Sequence, residues 1–146
     1  MAKISKEEEE LRKLSVEMRF FEQTAETLQQ RICMMNAAMT DLTYASMTLE
    51  GIEKENEDAE LLVPIGGSSY VKAKLANPDK VVVGLGSGVS VEKTLQEAKA
   101  IVKERLDELQ KTMVSAQQQF AQVAGRINAD RDRLGSLLAK VREGKT

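Results

Sequence analysis

The stretch Gly84-Leu85-Gly86-Ser87-Gly88, followed by Lys93-Thr94, holds the residue types that cradle phosphates. Glycines leave backbone amides open to an anion, while a lysine and a hydroxyl at fixed spacing reach the outer phosphates and a metal ion. The spacing fails that chemistry. A phosphate loop needs glycine directly before the lysine, and Glu92 stands there with a negative charge. A dinucleotide fingerprint needs further parallel strands, and the chain has no segments to supply them. The glycines are read as a hairpin turn.

Other reactive groups are few. The 146 residues include no histidine, which removes histidine-based zinc sites and nucleophilic triads. The single cysteine, Cys33, excludes an internal disulfide, and without a basic neighbour it reads as an inert small residue. Asp41, Glu50, Glu53 and Glu55 have no spacing that converges on a cation, and Glu7 to Glu10 read as a solvated helix start. No catalytic residue, metal site or cofactor is predicted, and the chain is not expected to be an enzyme. A net charge of −2 and a pI of about 5.4 speak against nucleic acid as a partner. The charged opening from Met1 to Glu10 predicts no secretory signal, and no apolar run reaches the roughly 20 residues that span a membrane. A cytoplasmic location without membrane contact is expected.

What positions the remaining residues is a pair of long runs with apolar side chains three and four apart. The first holds Leu11, Leu14, Met18, Phe21, Ala25, Leu28, Ile32, Met35, Met39, Leu42, Ser46 and Leu49. The second holds Val102, Leu106, Leu109, Met113, Ala116, Phe120, Val123, Ile127, Asp130, Leu134, Leu137 and Val141. Only Ser46 and Asp130 are polar. A period of 3.5 sustained this long keeps one stripe of a helix against a partner helix. The spacing predicts a helix over 5–54, capped by Ser5, and a second over 91–143, starting near Ser90 to Lys93 and ended by Gly144. Aromatic residues make up only 3 %, with no Trp, so a large globular core is not expected.

Between the runs, 61–91 reads as two β-hairpins. Leu61 to Ile65 and Ser69 to Leu75 flank Gly66-Gly67-Ser68; Lys80 to Leu85 and Val89 to Val91 flank Gly86-Ser87-Gly88. Pro64 cannot donate a ladder bond and predicts an edge or a bulge. Small free-standing hairpins are marginal, so their valine faces are expected to be covered by strands of other subunits. The fold class is mainly α with small β: a long antiparallel coiled-coil hairpin joined by two β-hairpins. Facing positions are expected to sum to about 145, with both chain ends at one tip.

Two features bear on function. Asp130 on the seam is costly unless paired, and Arg12, Lys13 and Arg19 are the cations the opposite helix offers; a register-setting pair and a device that loosens the tip are both open readings. Phe20, Met34, Met47 and Leu138 fall off the stripe and face water. With the seam residues Leu11, Leu14, Leu134 and Leu137 fraying near the tip, Phe20 marks a candidate contact site.

The linker resembles a known family. Leu62-Val63-Pro64-Ile65-Gly66-Gly67-Ser68-Ser69-Tyr70-Val71-Lys72-Ala73, with Val81-Val82-Val83-Gly84-Leu85-Gly86-Ser87-Gly88-Val89-Ser90-Val91-Glu92-Lys93, is similar to the double hairpin of archaeal-type prefoldin alpha-class subunits. Ser68 departs from the family's usual glycine. The resemblance implies an ATP-independent co-chaperone, a hetero-hexamer of two alpha-class and four beta-class subunits. Its hairpins would assemble into an inter-subunit β-barrel through Leu62, Val63, Ile65, Val71, Val81, Val83, Val89 and Val91. Unfolded polypeptide clients would be gripped at the tip, segments Lys3 to Phe21 and Ile127 to Val141, and passed to a group II chaperonin. The gripping residues implied are Leu11, Leu14, Met18, Phe20, Phe21, Ile127, Leu134, Leu137, Leu138 and Val141. The alternatives are a structural coiled-coil or filament-forming scaffold without client binding, and an adaptor tethering one specific partner.

Overall fold

A computed structural model describes residues 5–144. Six elements follow one another: α1 (Lys6–Glu53), β1 (Glu60–Gly66), β2 (Ser69–Lys74), β3 (Lys80–Gly86), β4 (Val89–Thr94) and α2 (Leu95–Glu143). The chain divides into two compact units, one formed by Ala37–Gln110 and the other by the residues up to Asn36 together with those from Lys111 onward.

α1 begins as its sequence dictates. The Ser5 hydroxyl accepts the Glu8 N–H at 3.2 Å, and Glu7, Glu8 and Glu9 place carboxylates at the positive end of the helix dipole. In the second unit every seam position is buried or half-buried, from Leu11 to Met35 on α1 and from Met113 to Val141 on α2. Glu10 facing Arg133 and Glu17 facing Arg126 make the helices antiparallel there, in the register the spacing predicts.

In the first unit the loops make two separate two-stranded antiparallel sheets of like design. Val63 pairs with Val71 as Val83 pairs with Val91, and Pro64 with Tyr70 as Gly84 with Ser90. Each register shifts at a bulge, between Pro64 and Gly66 and between Gly84 and Gly86, as Pro64 predicts for its own strand. The turn residues Gly67-Ser68 and Ser87-Gly88 all have positive φ, the geometry whose twist suits a two-residue hairpin.

The start of α2 corrects the sequence reading. Ser90 to Lys93 are strand, and the helix begins only at Leu95. Thr94 decides this: it pairs with Lys80 in the ladder, and its hydroxyl accepts the Glu97 N–H at 3.2 Å as the helix cap.

The core of this unit is built from Leu49, Val83, Leu95, Ala98 and Val102, with Leu42, Ile52, Val81 and Leu106 packed against it. Arg105 donates to the Gly84 carbonyl at 2.7 Å, fastening the second hairpin to α2. Val83 is buried and Val81 packs against this cluster, so both serve the chain's own packing, where the resemblance implied contact with other subunits. Alternation puts them on the inner face, where the chain's own helices cover them, and Val91, paired with Val83, is half-buried beside them. Truncating Leu95 to alanine should lower stability by about 2–4 kcal/mol, whereas Val82→Ala, at a position 70 % exposed, should change it by less than about 0.5 kcal/mol; denaturant unfolding of the two variants measures both.

Glu53 at the end of α1 accepts from Lys99 at 2.6 Å and from Gln96 at 2.8 Å. The Lys99 bond, then the Gln96 bond and the Lys99 charge, hold its carboxyl below the ordinary range. A depressed carboxyl stabilises the fold above its unfolded pKa, and that contribution fades as pH falls through the folded one. Glu53→Gln should therefore flatten the acid limb of a stability-against-pH curve below about pH 4.3; an unchanged slope there would reject the linkage.

Candidate functional site

Two exposed apolar surfaces are candidates, one in each unit. The first is the β1–β2 hairpin, and it starts from a period-two pattern with apolar residues on both faces. Leu61, Val63, Val71 and Ala73 share one face by register, and Leu62, Pro64 and Tyr70 the other. Leu62, Val63, Ile65, Tyr70 and Val71 are all exposed. Val89, Val82 and Leu85 add exposed apolar surface on the second hairpin. Of the residues implied in subunit assembly, Leu62, Val63, Ile65, Val71 and Val89 lie at the surface, while Val83 is in the core, Val81 packs against it and Val91 is half-buried. Tyr70, Val82 and Leu85 were missed, although their place in the alternation marks the outward faces.

The second surface lies at the chain-terminal end of the helix pair. Phe20 is 63 % exposed, and Val16, one turn before it, is more exposed still. The Phe20 ring meets Phe21 edge to face, with centroids 5.7 Å apart. Phe21 turns inward, half-buried, under the Arg126 guanidinium at 5.2 Å from its centroid. Arg126 also reaches Glu17 at 3.3 Å, and Arg133 forks onto one Glu10 oxygen at 3.0 Å. Both ion pairs are largely solvated, so each contributes about 1 kcal/mol or less and mainly sets register.

The seam at this end is closed, not frayed. Leu137 is only 1 % exposed, and Leu11, Leu14, Met18, Ile127, Leu134 and Val141 are half-buried. Helix pairing covers them because knobs on one helix fill holes on the other for as long as the repeat lasts. Leu138, next to the buried Leu137, faces outward with Phe20 and Val16. Lys3 and Ile4 of the implied gripping segment lie outside the described residues. Val16 was missed by the sequence reading; its place between the seam residues Leu14 and Met18 was the available signal.

Asp130 also departs from expectation. It does not pair with Arg12, Lys13 or Arg19: its Oδ2 is buried and has no hydrogen-bond partner. On its own helix Arg126 and Arg133, one turn to either side, are engaged by Glu17 and Glu10. The glycine-rich stretch at Gly86 to Gly88 is the β3–β4 turn and leads into a strand, not a helix, so no phosphate cradle forms.

Comparison with known proteins gives these surfaces a context. The family model described as "Prefoldin subunit" matches residues 21–137. The prefoldin subunit alpha of Methanosarcina barkeri is 38 % identical over 109 residues, 73 % of this chain and 76 % of that protein. That of Methanosarcina mazei is 33 % identical over 148 residues, 99 % of each chain. Among solved structures, the filamentous prefoldin of Methanocaldococcus jannaschii superposes with a TM-score of 0.67 at 26 % identity, covering 77 % of this chain and 93 % of that one.

The unpaired Asp130 carries a direct consequence. Replacing it by leucine removes a desolvated carboxylate oxygen and restores an apolar seam, which should raise stability by about 1–3 kcal/mol. Thermal unfolding followed by circular dichroism reads the shift, and a lower midpoint would mean that the carboxylate is satisfied in solution.

Proposed function

Because this chain belongs to the prefoldin family, we propose that it works as the alpha subunit of an ATP-independent holding chaperone: it joins beta-class subunits through its hairpins and grips unfolded polypeptides with its helix pair. The observation that carries this reading is the bare β1–β2 hairpin. Two strands with Leu62, Val63, Ile65, Tyr70 and Val71 exposed bury too little apolar surface to stand alone, and both ladder edges are open to a further strand. Strands from sister subunits close such edges and cover such faces in one step, which is what an inter-subunit β-barrel does.

Client holding is supported by the outward Val16, Phe20 and Leu138. A holdase needs no fuel and no cofactor. Several weak apolar contacts on linked arms gain affinity through effective concentration, and each still releases quickly. No catalytic step belongs to this reading, and a cytoplasmic hexamer of two alpha and four beta subunits that hands clients to a group II chaperonin is its full form. No described helix is long and apolar enough to cross a membrane.

The likeness to a filamentous prefoldin favours a second reading, in which the same hairpins link copies of this chain into a filament. Native mass measurement separates the two. The first expects a small species from the chain alone and a six-subunit complex on adding a beta-class subunit; long rods from the chain alone would support the second. Within the complex, deleting residues 1–21 and 127–146, or making Val16→Ser with Leu138→Ser, should leave assembly intact and abolish suppression of a denatured protein's aggregation. Full suppression by both variants would remove the gripping role.

A further inference from the structure

One stretch of the helix pair stands apart from a chain in which 30 % of residues are charged. α2 carries no charge from Thr112 to Gly125, and on α1 Arg31 is the single charge from Thr27 to Asn36. All of this lies in one compact unit. A groove of about 570 Å³ runs along it, walled by Phe20, Gln23, Thr27 and Gln122. A second groove of about 290 Å³, reaching Met34 and Ser115, adjoins it. Both are lined by Arg31 and Gln119, which makes them one trough with Phe20 at one end and Met34, 72 % exposed, at the other.

The walls are chemically specific. Among the described residues, the side-chain amides of Gln23, Gln119 and Gln122 make no hydrogen bond, and the Arg31 guanidinium has no ion-pair partner. The trough is thus apolar at its ends, rich in free amide donors and acceptors along its walls, and positively charged at one point.

We propose that this trough binds extended stretches of unfolded polypeptide that carry an apolar side chain at each end and an acidic residue between them. The inference rests on the chaperone reading and adds a client site on the flank of the helix pair. The choice of an extended chain follows from hydrogen bonding. An incoming helix has satisfied its own backbone and would cover the glutamines without bonding them, at a cost for each amide left dry. An unfolded chain brings free N–H and C=O groups that those amides pair with. The length agrees: Phe20 and Met34 are about 21 Å apart along a helix rising 1.5 Å per residue, the reach of about six extended residues. Arg31 lies one turn from Met34, so the acidic residue sits near the end that Met34 holds, where it gives the otherwise unpaired guanidinium a carboxylate.

Two labelled seven-residue peptides test this on the assembled full-length protein. Each has leucine at both ends and serine elsewhere, with the third and fifth positions aspartate in one and lysine in the other. Fluorescence anisotropy should show the aspartate peptide binding at least fivefold more tightly, Arg31→Glu should invert the preference, and a photo-crosslinker at Gln119 should capture a reduced, denatured client. An unchanged preference in Arg31→Glu, a bound peptide that turns helical, or a crosslink only to a second copy of this chain would each overturn the proposal. Full suppression of aggregation by Arg31→Glu, with suppression lost in Val16→Ser/Leu138→Ser, would sink the trough and spare the chaperone reading. A wild-type oligomer that holds no client would sink that underlying reading instead.

Discussion

Burial of Val81 and Val83 against Leu49, Leu95, Ala98 and Val102 is the contact on which the rest of this architecture depends. Two helices of 48 and 49 residues share a seam whose apolar repeat is nearly uniform, and a uniform repeat tolerates slippage by whole heptads. A fixed joint removes that freedom. The β3–β4 hairpin supplies it: its inner valines dock between the end of α1 and the start of α2, Arg105 holds its Gly84 carbonyl, and Glu53 ties the end of α1 to Gln96 and Lys99. In the other unit the Glu10–Arg133 and Glu17–Arg126 pairs hold the register of the same two helices by a different means.

The two hairpins share strand length, register, bulge position and turn geometry, yet differ in what covers them. The face of β3–β4 bearing Val83 and Val91 is taken up by the chain's own helices. The matching face of β1–β2, bearing Val63 and Val71, stays exposed. Equal chemistry with unequal burial leaves the β1–β2 face with a hydrophobic gain still available to whatever covers it, since each face has a similar amount to bury. The family's assembly into oligomers with other prefoldin subunits agrees with this division.

Much of this was legible in the residues. The 3.5 period named the seam from Leu11 to Leu49 and from Val102 to Val141, though not the buried Leu95 and Ala98 at the start of α2, and the turn signals at Gly66-Gly67-Ser68 and Gly86-Ser87-Gly88 named both hairpins. Alternation along a strand, however, tells only which residues share a face, not what lies against it. Val83 and Val63 occupy equivalent places in near-identical patterns, and only tertiary packing distinguishes the buried one from the bare one. The helix start was misread for a local reason: the strand-favouring Val89 to Val91 continues into Thr94, and the cap signal Thr94 with Glu97 three residues on outweighs the earlier serine. Asp130 was singled out by its place on the seam, but spacing does not tell whether a cation reaches it, and its Oδ2 is left without a hydrogen-bond partner. Arg126 and Arg133 are spent on Glu17 and Glu10, which no spacing rule reveals.

Burial also orders the ways this molecule can hold a partner. Exposing Leu137 or the half-buried seam requires parting the helices, at several kcal/mol for a few large side chains. Such surface is available only when something pays for local opening, and the unpaired Asp130 lowers that cost at one point. Phe20, Met34 and Leu138 need no opening, because they already face water. Binding to a site that is already open avoids the cost and delay of a site that must first be uncovered. On the proposed holding function, the off-seam residues and the charge-free flank would make the first contact, and the seam would be reached only by a tightly engaged client.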